Sequence, residues 1–349
     1  MAKKVAILTG GGDCPGLNAV IRAATLKLVR AGYEMVGVRH GWRGLLENEY
    51  MPLDIESTAD ILPKGGTILR TSRTNPMKQE GGVELIIDNL QKNDIWATIA
   101  IGGDDTLGVA NKLHAEHSLN MVGVPKTIDN DLSGTDYTFG FDTAVQIATD
   151  CIDRLNTTAE SHDRTIVVEI MGRHTGWITV MAGISGSASV ILIPEYDLSV
   201  EETCEIIRRR HAGGKNYSIV AVSEGARLVT KEGEEQLVTQ SDEVDAFGNV
   251  KLGGVANLLA KEIERRTGFE TRATVLGHIQ RGGTPTAYDR ILATRYGLKA
   301  AEMVKNEELG LMAALQGDEI VAVPLEVAVG ERKEVPQYFW DLANTFFAW

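Results

Sequence analysis

The chain has 349 residues, 43% of them hydrophobic and 24% charged, and a formal net charge of −13 at pH 7. This length suits about two domains, and the negative charge argues against nucleic acid or an anionic membrane as a partner. The three cysteines show no zinc or disulfide spacing, no apolar run reaches the ~20 residues of a membrane span, and the amino terminus lacks a signal-peptide core, so we expect a cytoplasmic protein.

Short β-branched runs alternate along the chain with longer amphipathic segments, which predicts alternating strands and helices. The predicted strands are Val5–Leu8, Met35–Val38, Thr98–Ile101, Met121–Val124, Thr165–Ile170, Val190–Ile193, Ile219–Val222 and Thr274–Leu276. The predicted helices are Leu17–Arg30, Phe141–Asn156, Val200–Arg210, Gly254–Thr267 and Tyr288–Lys305. This alternation is typical of a doubly wound α/β architecture with parallel sheets covered on both faces.

Residues 102–106, GGDDT, follow a predicted strand and place two carboxylates side by side, although adjacent like charges repel and are costly to desolvate. One interpretation is a helix start with Asp104 or Asp105 as N-cap. The other is functional, because ligands of open α/β sheets bind beyond the carboxyl ends of the strands. Six clusters follow strands in this way: TGGGDCPGLN, GGDDT, PKTIDND, MGR, SEG and GHIQRGG.

The segment PKTIDND, residues 125–131, carries the clearest chemical pattern. Asp129 and Asp131 are separated by one residue and could both reach a cleft, as a base and as a ligand of metal-bound water. Lys126 and Thr127 precede them and could hold phosphoryl oxygens. The alternative is an Asx-turn with solvated charges.

Two further patterns point to an anionic ligand. The glycines of TGGGDCPGLN precede a predicted helix, whose free N–H groups attract phosphate, although a plain tight turn explains them nearly as well. Arginines gather at strand ends, where they could clamp phosphate groups; a surface ion pair is the alternative for each. These cations, with one histidine, are Arg70, Arg73, Arg164, Arg173, Arg272, His278 and Arg281.

Together the motifs resemble the phosphofructokinase family, through TGGGDCPGLNAVIR, the segment from Gly65 to Arg73, GGDDT, PKTIDND, VVEIMGR and ETRATVLGHIQRGG, in that order to about residue 305. The resemblance implies two similar doubly wound domains with largely parallel sheets and an active site in the cleft between them. Residues 1–140, completed by about 281–330, would bind the phosphoryl donor. Residues 141–280, completed by 331–349, would bind the sugar phosphate.

The resemblance also implies a reaction, phosphoryl transfer to the 1-hydroxyl of fructose 6-phosphate. Asp129 would be the base that takes the hydroxyl proton, supported by Asp131, while Thr127 contacts the transferring group. Asp104 would help to hold Mg²⁺, and Arg173 would lie near the reacting centre. These roles suit phosphoryl transfer, which depends on positioning, Mg²⁺ and fixed cations.

Further roles follow from the same resemblance. Gly12 and Arg73 would face the phosphoryl donor. Arg272 and Arg281 would take the 6-phosphate, joined by Arg164 of a neighbouring subunit in a homodimer or homotetramer. The remaining sugar contacts would be Met171, Gly172, Arg173, Glu224 and His278, besides Thr127 and Asp129.

Two positions bear on the choice of donor. The ATP-using branch of the family has glycine at the position of Asp105 and usually at that of Lys126, which leaves room for the α-phosphate of the nucleotide. Asp105 would repel that phosphate, and Lys126 would pair with a pyrophosphate oxygen, so pyrophosphate is the expected donor. An ATP-dependent enzyme and a non-catalytic sugar-phosphate sensor are the alternatives.

Overall fold

The computed structural model describes residues 2–229, 235–237, 239–244 and 250–347. These residues form two compact units. The first contains residues 2–143 and 281–333, and the second contains the described residues of 144–280 together with 334–347. No helix in the described ranges has the length and apolar character that crossing a membrane requires.

The strands, in chain order, are β1 (Lys4–Thr9), β2 (Glu34–Val38), β3 (Tyr50–Leu53), β4 (Ile95–Gly102), β5 (Met121–Pro125), β6 (Thr165–Ile170), β7 (Val190–Leu192), β8 (Ser218–Ser223), β9 (Arg227–Val229), β10 (Glu235–Leu237), β11 (Thr239–Val244), β12 (Val250–Leu252), β13 (Thr271–Val275), β14 (Leu311–Gln316) and β15 (Glu319–Pro324). The helices are α1 (Leu17–Arg30), α2 (Trp42–Glu47), α3 (Gly82–Lys92), α4 (Asp104–His117), α5 (Phe141–Ser161), α6 (Trp177–Ser185), α7 (Val200–Ala212), α8 (Val255–Thr267), α9 (Ala287–Lys305) and α10 (Gln337–Asn344). Short 3₁₀ turns lie at Pro76–Lys78, Gly277–Arg281 and Leu325–Val329.

The first unit contains a seven-stranded sheet in the order β15-β14-β5-β4-β1-β2-β3. Its five central strands pair in parallel, and the edge strands β3 and β15 are antiparallel to their neighbours. From β1 the chain continues to β2 on one side, whereas β4 is followed by β5 on the other. The order therefore reverses between β1 and β4, which is the place where open α/β sheets bind ligands.

The second unit contains a parallel sheet in the order β13-β6-β8-β7. Strands β6 and β8 are buried along their whole length, as parallel strands covered by helices must be. Strand β9 pairs with β10, and β11 with β12, both antiparallel.

These sheets confirm the predicted α/β class with largely parallel sheets. The predicted strand Thr274–Leu276 is displaced, because β13 begins at Thr271 and ends at Val275. Phe141–Asn156 is extended to Ser161, and Val190–Ile193 ends one residue earlier. Sequence reasoning did not predict α2, α3, α6, α10, β3, β14 or β15, nor the strand pairs β9–β10 and β11–β12, and it offered α4 only as one of two interpretations of GGDDT.

Helix α1 occupies the predicted residues, and its ends have local causes. Gly16, with φ of 108°, turns the chain into the helix, and Gly32, with φ of 86°, follows its end. Its packing against α9 depends on a third glycine. A β-carbon on Gly297 would lie 2.6 Å from the carbonyl oxygen of Val20 and 2.9 Å from the β-carbon of Ala23.

We expect Gly297→Ala to lower the free energy of unfolding by about 1–3 kcal/mol, because the added methyl group overpacks the contact between α1 and α9. Helix propensity alone predicts the opposite, since alanine is favoured over glycine in helices by about 1 kcal/mol. Urea denaturation measures the difference. Glu302→Ala, exposed on the same helix, should change stability by less than about 0.5 kcal/mol; a Gly297→Ala protein as stable as the parent would refute the packing argument.

Candidate active site

Three loops of the first unit meet at one edge of its sheet. Thr9 pairs with Ile101, and Gly102 pairs with Pro125, so β1, β4 and β5 end side by side. The segments TGGGDCPGLN, GGDDT and PKTIDND begin at these ends. The parallel register therefore brings together the three motifs that the sequence places at separate positions.

Two glycines make room for a threonine at this edge. A β-carbon on Gly10 would lie 2.5 Å from Thr106 Oγ1, and one on Gly102 would lie 2.3 Å from Thr106 Cβ. Real β-carbons do not approach so closely, and Thr106 is 2% exposed. The glycines of both motifs thus allow the first turn of α4 to pack directly against the strand ends.

Asp104 and Asp105 form the start of α4, with Gly103 as the N-cap. The interpretation that either aspartate is the N-cap is therefore wrong, although the helix start itself is present. The Asp105 backbone N–H donates to Asp104 Oδ1 at 2.9 Å. Two adjacent carboxylates are tolerated here because the positive end of the helix dipole attracts negative charge.

Lys126 is 4% exposed, and its Nζ donates to the carbonyl oxygen of Gly12 at 2.6 Å. Burial lowers the pKa of its ammonium group, and the nearby Arg281 lowers it further, while Cys14 and Asp129 oppose the shift. Arg281 also lies against the glycine loop, since a β-carbon on Gly12 would be 2.7 Å from its Nη1. The glycine loop is thus flanked by two cations within an acidic protein.

The loop after Lys126 is held by its own side chains. The Asp129 backbone N–H donates to Thr127 Oγ1 at 3.0 Å, and this hydroxyl lies 3.4 Å from Asp129 Oδ2. Asn130 adopts a left-handed backbone conformation, with φ of 53°, and its side-chain Oδ1 accepts from the Thr138 backbone N–H. Because these bonds order the loop, both aspartates occupy defined places.

Asp131 lies in an acidic environment. Burial, reinforced by the charges of Asp129 and Asp104, raises the pKa of its carboxyl to about 7, while Arg332, 3.9 Å away, acts in the opposite sense. A cleft of about 400 Å³ opens beside it. The lining residues are Asp104, Asp105, Asp131, Leu132, Ala328, Val329, Gly330, Glu331 and Arg332.

The acidic groups of this cleft suit one kind of metal site. Among the described residues no group of three or more histidine, cysteine, aspartate or glutamate side chains could hold a metal ion. Asp104 and Asp131 nevertheless line the same cleft. Mg²⁺ is commonly bound by one or two carboxylates together with waters and substrate phosphates. The donor set therefore fits an Mg²⁺ ion bound together with phosphate.

The segment that carries Arg73 is attached to the glycine loop. The Gly11 N–H donates to the Ser72 carbonyl at 3.2 Å, and Thr71 Oγ1 donates to the Gly11 carbonyl at 2.6 Å. Thr9 Oγ1 donates to the Arg70 carbonyl at 2.8 Å. These bonds place the residue before Arg73 beside Gly11, so the structure brings this motif to the same edge of the sheet.

The second unit presents a separate group of predicted residues at the carboxyl edge of its own sheet. Glu224 Oε1 accepts from the backbone N–H groups of Gly172 and Arg173 at 3.4 and 3.1 Å. The Met171 N–H donates to Oε1 of Gln280, which is fully buried. His278 lies in the same 3₁₀ turn as Gln280. Sequence reasoning missed Gln280, whose only signal was its place between His278 and Arg281.

Arg164 and Arg272 occupy the opposite, amino edge of this sheet. Their guanidinium groups contact the same Glu270 Oε1, at 2.9 and 2.5 Å. Arg272 was expected to act with Arg281 on the 6-phosphate; the two belong to different units, and this expectation stays a prediction. The predicted strand began at Thr274, whereas β13 begins three residues earlier, at Thr271. Arg272 therefore lies at the amino end of the strand, beside Arg164.

The comparisons with known proteins agree on a family. A family model described as Phosphofructokinase matches residues 4–304. A relative from Amycolatopsis methanolica, named pyrophosphate–fructose 6-phosphate 1-phosphotransferase, is 57% identical over 346 residues, which is 99% of each protein. A relative from Corynebacterium efficiens, named ATP-dependent 6-phosphofructokinase, is 48% identical over 348 residues, again 99% of each.

A solved structure gives the same result for the fold. Phosphofructokinase from Pichia pastoris in the T-state superposes with a TM-score of 0.81 at 29% identity. The match covers 99% of the present chain and 36% of that chain. The present chain therefore spans about a third of the length of that solved chain, while it spans nearly all of the two relatives named above.

The raised pKa of Asp131 predicts a pH dependence of stability. Between its ordinary value of 3.8 and about 7, the native carboxyl keeps a proton that the unfolded chain releases, so stability falls as pH rises through this range. The side-chain amide of the variant Asp131→Asn has no such titrating proton. The stability of the parent protein minus that of the variant should therefore fall by at least about 1 kcal/mol between pH 4.5 and 7.5.

Urea denaturation in the presence of a chelator measures this difference. Asp88→Asn, which alters an exposed carboxylate on α3, should give a curve parallel to that of the parent protein. If the stability of the parent protein minus that of Asp131→Asn stays constant or rises with pH, the pKa of Asp131 is not raised in the native protein.

Proposed function

The chain belongs to the phosphofructokinase family, and from this premise we propose that it phosphorylates fructose 6-phosphate at the 1-hydroxyl with pyrophosphate. The products are fructose 1,6-bisphosphate and phosphate, and the reaction runs in both directions in glycolysis and gluconeogenesis. The observation that carries the choice of donor is the buried Lys126, which reaches the glycine loop at Gly12.

In the proposed transfer, the 1-hydroxyl oxygen attacks the terminal phosphorus of pyrophosphate. The bond from this phosphorus to the bridging oxygen breaks, and the hydroxyl proton passes to Asp129. Thr127, hydrogen-bonded to the backbone of Asp129, contacts the transferring group, and Asp131 supports the base. Arg173 stabilises the charge near the reacting centre. Such positioning of a general base contributes roughly 10²–10⁴-fold to rate.

Asp104, with Asp131 in the same cleft, would hold Mg²⁺. The ion would supply charge neutralisation for the phosphoryl oxygens when bound. Asp105 occupies the first turn of α4 beside Asp104 and restricts the space for a third phosphate. Gly12, Arg73 and Lys126 bind the pyrophosphate oxygens, and we assign donor binding to the first unit.

We assign the sugar phosphate to the second unit. Met171, Gly172 and His278 contact the sugar, and Glu224 both fixes the backbone of the Gly172–Arg173 turn and accepts from a sugar hydroxyl. The remaining residues act on the 6-phosphate. They are Arg281, together with Arg164 and Arg272.

Because Arg164 and Arg272 share Glu270, we propose that both, rather than Arg164 alone, reach the 6-phosphate from a neighbouring subunit. The working form is then a homodimer or homotetramer. We place the enzyme in the cytoplasm.

ATP as the phosphoryl donor is the second candidate. It is favoured by the relative from Corynebacterium efficiens, named ATP-dependent 6-phosphofructokinase and 48% identical to this chain. The two candidates share the acceptor, the base and the fold, so only the donor separates them.

We expect Asp129→Asn to lower kcat by roughly 10²–10⁴-fold, because the amide cannot take the hydroxyl proton. Fructose 6-phosphate should still bind with a Kd within about threefold of the parent value, measured by titration calorimetry, since its phosphate contacts are intact. Asp88→Asn is the matched control and should keep the parent kcat. A near-normal kcat in Asp129→Asn would exclude this residue as the base.

We expect the parent enzyme to have a higher kcat/KM with pyrophosphate than with ATP. A nucleotide α-phosphate about 4 Å from Asp105 would be repelled by about 4 kcal/mol at an effective dielectric of ~20, and solvent screening at this half-buried position reduces the value. Asp105→Gly should therefore raise kcat/KM for ATP at least about tenfold.

Lys126→Gly alone should lower pyrophosphate activity without creating ATP activity, since it removes a cation and leaves Asp105 in place. The double variant should move the preference furthest toward ATP. Steady-state kinetics with both donors in the parent and the three variants decides the matter. A parent enzyme that prefers ATP, or an Asp105→Gly protein with no gain in ATP use, would overturn the donor assignment.

A further inference from the structure

The segment Gly330–Lys333, called here the strap, lies along the loop of residues 129–136 in the first unit. The Lys333 backbone N–H donates to the Asp131 carbonyl at 3.0 Å. Ser133 Oγ donates to the Glu331 carbonyl, and Arg332 Nε lies 3.9 Å from Asp131 Oδ2. Successive residues of the strap thus contact the loop that carries the proposed base.

The Lys333 side chain contacts both arms of this loop. Its Nζ donates to Asn130 Oδ1 at 3.0 Å on the outgoing arm, and to the carbonyl oxygens of Thr135 and Asp136 at 3.1 and 2.9 Å on the returning arm. An ammonium group has three N–H donors. All three therefore have an acceptor oxygen within the loop.

Asn130 is the residue whose conformation these contacts control. It separates Asp129 from Asp131 and has a φ of 53°, in the left-handed region, which asparagine adopts more readily than most residues with a side chain. It is 2% exposed, and its Oδ1 accepts from Thr138 as well as from Lys333. Without the ammonium group, Asn130 would lose one of the contacts that fix its side chain and with it the turn between the two aspartates.

We propose that Lys333 is a positioning residue for phosphoryl transfer, which holds the loop 129–136 in the conformation that separates and orients Asp129 and Asp131. The proposal rests on the proposed function only for its kinetic readout. Lys333 acts through Asn130 and the returning arm, to which its Nζ donates. The strap lies beyond residue 304, where the family match ends.

The geometry distinguishes a positioning role from a mere requirement for positive charge. Lysine can direct three donors tetrahedrally toward three oxygens, whereas the arginine guanidinium is planar and longer. Lys333→Arg keeps the charge but cannot reproduce this arrangement. Lys333→Met keeps the approximate length of the side chain and removes all three donors.

The test compares kcat and KM of the full-length parent, Lys333→Met, Lys333→Arg and the control Lys305→Met, which alters an exposed lysine of the same unit. We expect Lys333→Met to lower kcat roughly 10–100-fold, as small misplacements of catalytic groups do. Its KM for fructose 6-phosphate should stay within about threefold, because the proposed sugar contacts in the second unit are unchanged. Lys333→Arg should remain at least about fivefold below the parent kcat, and Lys305→Met should match the parent.

Hydrogen–deuterium exchange gives a second readout that needs no activity. Amides of residues 130–136 should exchange at least about tenfold faster in Lys333→Met than in Lys305→Met, because the loop opens locally. A Lys333→Met protein with kcat within twofold of the parent, or with unchanged exchange in this loop, overturns the proposal. Full activity in Lys333→Arg would show that only the positive charge of Lys333 is required, and this result would also overturn the proposal.

The proposal can still be tested if Lys333→Met does not fold or if the parent enzyme lacks the proposed activity. If Lys333→Met does not fold, Lys333→Arg carries the same kinetic and exchange comparison against Lys305→Met. If the parent enzyme transfers no phosphoryl group from pyrophosphate to fructose 6-phosphate, the proposed function fails. The exchange comparison then decides the positioning role on its own.

Discussion

The parallel register of β1, β4 and β5 is the constraint on which the site of the first unit depends. Since Thr9 pairs with Ile101 and Gly102 with Pro125, the glycine loop begins at the same edge as two motifs that follow it by more than 90 residues in sequence. The close fit of Thr106 against the strand ends leaves no room for a side chain at Gly10 or Gly102. A slip of the register would therefore separate the glycine loop from the two acidic motifs and clash at this packed corner.

The glycine loop lies beside positive side chains, although the chain as a whole is negatively charged. The chain has a net charge of −13, yet Lys126 and Arg281 flank the glycine loop. Burial lowers the pKa of Lys126 and raises that of Asp131, so each charged form is disfavoured in the structure as it stands. A multiply charged phosphate bound with a divalent cation would relieve both, because the anion stabilises the ammonium group and the cation stabilises the carboxylate. Opposite pKa shifts in two groups that both interact with Asp129 are expected of a site that binds a ligand carrying both charges.

The sequence predicted the central elements well and the peripheral ones poorly, for physical reasons. Residues 219–222 of β8 form a continuous apolar run because both faces of the strand are buried, and α1 has a regular apolar face between two glycines, so local patterns suffice. The start of β13 was predicted at Thr274 rather than Thr271, because its first two residues, Thr271 and Arg272, are polar and do not extend the apolar run. Lys333 was missed because its partners are an amide oxygen 203 residues away and two backbone carbonyls, and contacts to backbone atoms leave no pattern in a sequence.

The donor preference illustrates how little of a fold needs to change when a reaction changes. Relatives with different donors in their names are 57% and 48% identical to this chain over nearly its whole length, so overall similarity does not choose between them. Under the proposed function, the choice depends on the first turn of α4 and the first residue after β5, which are adjacent because β4 and β5 pair in register. An aspartate at position 105 has little effect on the free energy of folding, since the helix dipole stabilises its negative charge. The lysine at position 126 donates to the Gly12 carbonyl, and this bond offsets part of the cost of burying its ammonium group. Asp105 is therefore compatible with the folded protein by itself, whereas burial disfavours the charged form of Lys126. Under the proposed function, a phosphate bound beside Lys126 would offset that cost, so the lysine would favour the donor and the aspartate would restrict its length.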